Sequence, residues 1–164
     1  MKQIKLTNSS DNVIIDDSNY ERLSKFSWRV VGNGSIFRFT NKGLKKTVGI
    51  SLASEIFCTR EIMYDHKDRN FLNNLESNLR PCTYSQNSFN RTKYKDKKYS
   101  SEFKGVYWKV AIKKWIAATK FLGKTIHIGT FASELEAAHA YNVRVVTLCK
   151  EFLVLNKDAE GNII

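Results

Sequence analysis

The chain has 164 residues, enough for one ordinary domain or for two or three small modules. A hydrophobic content of 42% is too high for general disorder, and no uninterrupted apolar run approaches the roughly 20 residues of a membrane-spanning helix. Lys+Arg total 27 against 16 Asp+Glu, a net charge of +11, which implies a polyanionic partner; nucleic acid is the commonest inside a cell.

The excess is spread along the chain. Residues 1–56 carry 9 basic against 5 acidic side chains, residues 57–98 carry 9 against 5, and residues 99–164 carry 9 against 6. A single basic tail is therefore excluded. The N-terminal stretch MKQIKLTNSS lacks the apolar core of a signal peptide, and no basic amphipathic helix points to a membrane surface. A soluble, cytoplasmic protein acting without a membrane is expected. Cys58, Cys82 and Cys149 are odd in number, far apart and without a CxxC pair. That pattern supports neither a disulfide framework nor a structural zinc site, and buried free thiols are expected.

In chain order, residues 2–7 and 12–15 read as short strands around a polar NSSD turn. Asp16 or Asp17 then caps a short helix through about Phe26, with Tyr20, Leu23 and Phe26 on one face. Residues 27–31, 36–40 and 46–52 resume strand character, separated by turns containing Gly32, Gly34 and Gly43. The result is a small β-rich module, residues 1–52, in which Arg38, Lys42, Lys45 and Lys46 suit either phosphate contact or solvated surface. Residues 52–61 form a short helix or a connector. Residues 62–67 are a strand delivering Asp65 and His66 to its end, residues 78–83 a second strand, and residues 84–91 a helix capped by Thr83.

Between those strands lies the chemistry. The stretch YDHKDRNFLNNLESNLRPCTYSQNSFN, residues 64–90, sets an acid beside an imidazole and follows them with Asn70, Asn73, Asn74, Asn78, Asn87 and Asn90. Asx-rich stretches commonly form plain turns, and composition alone favours that alternative. Phosphodiester hydrolysis needs a nucleophilic water and charge neutralisation on the phosphate and the leaving oxygen. A neutral His66 imidazole suits the base, Asp65 offers Mg²⁺ a hard oxygen from the opposite side of the strand, and Asn87 offers a second oxygen. Asn78 suits pinning the loop by side-chain hydrogen bonds and so fixing the imidazole.

Residues 91–102 (RTKYKDKKYSSE) are basic and lack apolar periodicity. They read as a linker, residues 92–102, whose neighbouring cations Arg91, Lys93, Lys95, Lys97 and Lys98 suit a solvated connector or a path along DNA. Arg80 joins them as a cation expected to meet DNA. Residues 103–108, 115–121 and 125–131 are three strands, with Gly123 and Lys124 in the second turn. Ser133 with Glu136 makes a capping box for an amphipathic helix whose apolar side is Leu135, Ala138, Ala140, Tyr141, Val145 and Leu148. Six lysines and no acid fall between Phe103 and Ser133, so one sheet face should be cationic while the helix covers the other. Tyr107, Trp108 and Trp115 interleave with those lysines, as core or as DNA contacts.

Asp65-His66, Asn78 in NLR and Asn87 in QN, spaced by twelve and nine residues, resemble the HNH homing endonucleases in the variant whose last His is Asn. The pattern DHKDRN…NN…SNLRPCT…QN is similar to phage and intron-encoded members. The resemblance implies a ββα-metal (His-Me finger) module over residues 53–91, with His66 as general base, Asn78 as its structural partner, and Asp65 and Asn87 as ligands of one Mg²⁺ or Mn²⁺ ion. It also implies cleavage or nicking of double-stranded DNA to 3′-hydroxyl and 5′-phosphate ends.

FKGV at 103–106, KW at 114–115, IHIGTF at 126–131, EAAHAYN at 136–142 and LN at 155–156 resemble the APETALA2/ethylene-response-factor DNA-binding domain, over residues 103–156 with a tail at 157–164. That resemblance implies Lys104, Lys109, Lys120 and His127 on the DNA face of the sheet. Tyr107 and Thr125 stand where plant members usually have arginine, which weakens bidentate guanine reading. Together these features predict an α+β, multi-module chain: a β-rich N-terminal module, a central HNH motif, and a three-stranded antiparallel sheet packed on one helix. The expected function is site-specific DNA cleavage by a monomer. The alternatives are a catalytically inactive DNA-binding regulator on the same modules and, without RRM or KH signatures, an RNA-binding module.

Overall fold

Alternating apolar residues make the first hairpin. In a computed structural model that describes residues 1–32, 34–41, 47–93 and 99–164, β1 (Lys2–Lys5) pairs antiparallel with β2 (Asn12–Ile15). Ile4, Val13 and Ile15 point inward and lose nearly all exposure. Helix α1 (Asp17–Leu23) follows, with Asp16 at its N-cap position. The Asp16 carboxylate makes no cap bond; it accepts instead from the backbone N–H of Glu76 at 2.8 Å, and so ties the helix start to a distant loop. Strands β3 (Arg29–Val31), β4 (Ser35–Asn41) and β5 (Thr47–Ser51) form an antiparallel meander. Ser51 then caps α2 (Leu52–Ile56), its hydroxyl accepting from the Ser54 N–H at 3.1 Å.

Strands β6 (Met63–His66) and β7 (Leu79–Cys82) pair antiparallel, with Asp65 opposite Arg80 and His66 opposite Leu79. Leu79 belongs to the same buried cluster as Leu6, Val13, Ile15, Leu23, Trp28 and Leu52. The strand pair is thereby anchored to the N-terminal core. Trp28 is fully buried, and its indole N–H donates to the Leu23 carbonyl at 2.9 Å.

The chain divides into two compact units, Met1–Thr83 and Tyr84–Ile164. The second begins with α3 (Tyr84–Asn90) and contains a sheet of β8 (Val106–Lys109), β9 (Lys114–Phe121) and β10 (Lys124–Phe131). The predicted first strand is shorter than its sequence suggests, because Phe103 and Gly105 are spent on entering the sheet. Gly105 has φ +74°, and a Cβ there would run into the Tyr141 ring. The β9–β10 turn is Leu122-Gly123, both at positive φ, one residue before the predicted position. Helix α4 (Glu134–Leu148) packs across the sheet through Ala137, Ala138, Tyr141 and Val145. Leu135, predicted on the apolar side, is instead 52% exposed, because it lies in the first turn, off the stripe of Ala138, Tyr141 and Val145. The Glu136 carboxylate accepts from the Ser133 N–H at 3.3 Å.

Helix α3 is built into this second unit. The Ser85 hydroxyl accepts from the Leu122 N–H at 3.0 Å, Phe89 lies against Phe121, and the Phe89 carbonyl accepts from Val154. Among the described residues are four α-helices and four small antiparallel sheets, so the architecture is mixed α+β. No helix of the described residues is long and apolar enough to cross a membrane. Of the three thiols only Cys149 is buried as expected; Cys82 is half-buried and Cys58 exposed.

Candidate active site

Strand alternation decides where the acid and the imidazole go. Successive residues of β6 point to opposite faces, so Asp65 and His66 leave the strand end on different sides. Asp65 is 5% exposed and faces Arg80 across the ladder. The Arg80 Nε and Nη2 groups donate to Asp65 Oδ2 at 3.0 and 2.9 Å. Arg80, expected to meet DNA, thus directs its guanidinium at the carboxylate. On the same strand pair, burial pushes the Cys82 thiol up to about 11, with the Asp65 charge adding to the effect. That thiol is a poor nucleophile at neutral pH.

The loop between β6 and β7 is held from inside by side chains. Asn78 Nδ2 donates to Asp68 Oδ1 at 2.9 Å and to the Asn73 carbonyl at 2.7 Å, while its Oδ1 accepts from the Asp68 N–H at 3.1 Å. The Asn78 carbonyl accepts from the Lys67 N–H at 2.9 Å. Asp68 is the hub of this web. Its carboxylate also accepts from the Asn70 N–H at 2.8 Å and from Asn73 Nδ2 at 2.7 Å. Burial works against that charge, but hydrogen bonds from Asn70, Asn78 and Asn73 and the nearby His66 outweigh it, so its pKa lies below the ordinary value. Arg69 sits in this loop at φ +64°, and its N–H donates to the His66 carbonyl at 3.0 Å.

Asn78 was expected to fix the imidazole by way of the loop; the side chain that meets His66 Nε2 directly is Asn74. His66 Nε2 lies 3.1 Å from Asn74 Oδ1, and Asn74 is 2% exposed. Asn73 and Asn74 sit where the loop lies beside β2: Ile14 N–H donates to the Leu72 carbonyl and Asn74 N–H to the Ile14 carbonyl, both at 2.8 Å. Spacing alone could not single out Asn74 or Asp68 among so many Asx residues. The signal for the Asp65–Arg80 pair was the register of the two strands, which the chain order leaves open.

Asn87, the expected second metal ligand, is half-buried on α3, in the second unit. Among the described residues, no three His, Cys, Asp or Glu side chains form a metal cage. A lone hard carboxylate suits Mg²⁺, which takes one or two carboxylates and completes its shell with phosphates and waters; it does not suit zinc.

The outer face of the β8–β9–β10 sheet is the second candidate surface. Register and alternation put Tyr107, Lys109, Lys114, Lys120, Thr125 and His127 on it, all exposed. Lys109, Lys120 and His127 were anticipated; Lys114, directly opposite Lys109, was not singled out. Trp108 and Trp115 share the helix-side face with Val106 and Ala117, and their rings meet edge-on at 5.1 Å. Lys104 is engaged elsewhere: its ammonium donates to the carbonyls of Ser88, Phe89 and Arg91 at 2.7–3.0 Å. Burial, with the Arg91 charge adding, brings its pKa down to about 8. The Lys93 ammonium likewise donates to the Ser101 and Phe103 carbonyls at 2.7 and 2.8 Å. Arg91 is exposed, and Lys95, Lys97 and Lys98 lie outside the described residues, as do Lys42, Lys45 and Lys46.

The strand pair ends in Asp65-His66 and closes on a loop pinned by Asn78, and a known protein is similar to the chain at the level of sequence. The chain is 40% identical over 97 residues, 59% of its length, to a protein named as an uncharacterized HNH endonuclease from Acanthamoeba polyphaga mimivirus. The match covers 48% of that relative, so the chain spans about half the length of the curated protein it matches. The likeness is thus to part of a protein that carries the HNH endonuclease name. No family model and no solved structure matches the chain.

Proposed function

We propose that the chain is a metal-dependent DNA endonuclease of the HNH type that hydrolyses a phosphodiester bond to 3′-hydroxyl and 5′-phosphate ends. The observation that carries this is a His66 imidazole at the end of β6, one residue after a buried carboxylate and held by a buried amide. In this reading His66 takes a proton from the attacking water. Asn78 keeps the loop, and with it the ring, in place. Asp65 would hold one Mg²⁺ or Mn²⁺ ion, which when bound would neutralise charge on the scissile phosphate and the leaving oxygen. The assignment of Asn87 as second ligand rests on the sequence resemblance alone.

The outer sheet face of the second unit is the proposed grip on double-stranded DNA. Its lysines suit phosphates, and a strand-based reader of the APETALA2 kind would lay this face in the major groove. A homing-type role, nicking of one strand and action as a monomer belong to the same proposal.

The test is incubation with supercoiled plasmid and a pool of duplex DNA, with and without Mg²⁺. Wild type should convert plasmid to nicked circles that DNA ligase reseals, which requires 3′-hydroxyl and 5′-phosphate ends. His66→Ala should be slower by about 10²-fold or more. An equally active variant would remove His66 from the base role. A second reading, a DNA-binding regulator without catalysis, draws on the Arg80 guanidinium directed at Asp65, because a carboxylate satisfied in this way needs no ion. Tight DNA binding with no metal-stimulated nicking across the pool would favour it.

A further inference from the structure

We infer that Asn74 is a positioning residue that fixes the tautomer and the orientation of His66, so that Nδ1 is the ring nitrogen that accepts the proton. The inference deepens the endonuclease reading and rests on it. It begins with the Asn74 amide, whose two ends are chemically different. Its Nδ2 donates to the Phe71 carbonyl at 2.7 Å. A carbonyl can only accept, so the nitrogen must face Phe71 and the oxygen must face His66. Turning the amide over would set Oδ1 against the Phe71 carbonyl oxygen and leave that contact repulsive.

Asn74 Oδ1 therefore meets His66 Nε2, at 3.1 Å. An amide oxygen cannot donate, so the bond forms only if Nε2 carries the hydrogen. In the neutral ring the basic lone pair then belongs to Nδ1. The amide is well placed to impose this choice. At 2% exposure it has little water to exchange with, and its own backbone N–H is bonded to the Ile14 carbonyl of β2 at 2.8 Å. Ile14 in turn donates to Leu72, and its neighbours Val13 and Ile15 are fully buried. Ring orientation is thus referred to the hydrophobic core. A base held in this way needs no reorientation when water and phosphate arrive.

The experiment combines ring ¹⁵N NMR with single-turnover nicking on the full chain. The protein has three histidines, so His66 is assigned by subtracting the spectrum of His66→Ala. At one fixed, mildly alkaline pH, the wild-type His66 ring should show the hydrogen on Nε2. Asn74→Leu, close in size but without an acceptor, should show a mixture of tautomers. Its nicking rate should fall roughly 10–100-fold, the usual effect of losing an orienting partner, with DNA affinity unchanged.

A wild-type ring with the hydrogen on Nδ1 would overturn the inference, and would do so even if Asn74→Leu failed to fold. Wild-type rate and tautomer in a folded Asn74→Leu would overturn it as well. The underlying reading fails separately: a wild type that nicks nothing, yet keeps Nε2–H, would support the tautomer assignment and defeat the nuclease.

Discussion

Asp65 and Arg80 oppose each other across a two-stranded ladder, with side-chain exposures of 6% and 17%. Removing one partner of a buried pair leaves a charge without compensation, which costs about 3–5 kcal/mol. Arg80→Met should therefore lower stability by that order in urea titration; a loss under about 0.5 kcal/mol would mean that the arginine serves DNA alone. Arg69 is a different case, since a non-glycine residue at φ +64° is strained by roughly 1–2 kcal/mol. Arg69→Gly should raise stability, by at most about 1 kcal/mol after glycine's entropy, while slowing nicking through the loss of an exposed cation beside the His66 turn. Asp68 brings a pH dependence. Its folded pKa is depressed, so its contribution is present above the unfolded value of 3.8 and is lost as pH falls through the lower, folded value. Acid titration should show a smaller stability loss below about pH 4 for Asp68→Asn than for wild type.

At the scale of elements, a lysine expected on DNA turns out to hold the end of a helix. Lys104 meets three carbonyls at the C-terminus of α3, groups that a helix leaves without intrahelical partners. Lys104→Met should destabilise the second unit by about 1–3 kcal/mol, because the carbonyls at the helix end lose a charged donor. A DNA contact alone would leave the thermal melt unmoved. The sheet shows the opposite imbalance. Lys109 and Lys114 face each other in register, and like charges placed so are mildly destabilising unless an anion lies over them.

For the whole molecule, the positive charge belongs to both units rather than to a tail. Log affinity for duplex DNA should fall steeply with log salt, and Lys114→Gln should reduce the slope by about 1 while leaving the fold intact. A chelator should stop nicking and spare binding, because the proposed grip is on strands β8–β10 and not at Asp65. Loss of binding with chelator would contradict that division of labour, and filter binding at several salt concentrations measures both effects.

The elements were legible in the sequence where local chemistry decides them. The hairpins, α4 with Ser133 and Glu136, and the strand ends carrying Asp65 and His66 follow from alternation, capping and turn residues. The mixed α+β class and the likeness to HNH nucleases follow from the same residues and their spacing. Partners distant in sequence were not legible. The Asp65–Arg80 pair depends on strand register, the Asn74–His66 bond on how the loop lies against β2, and the Lys104 cap on where α3 ends. Each of these is a choice among several polar residues of similar propensity. Local chemistry leaves such choices degenerate; burial against a common core, where an unsatisfied donor or a lone charge is costly, is what settles them.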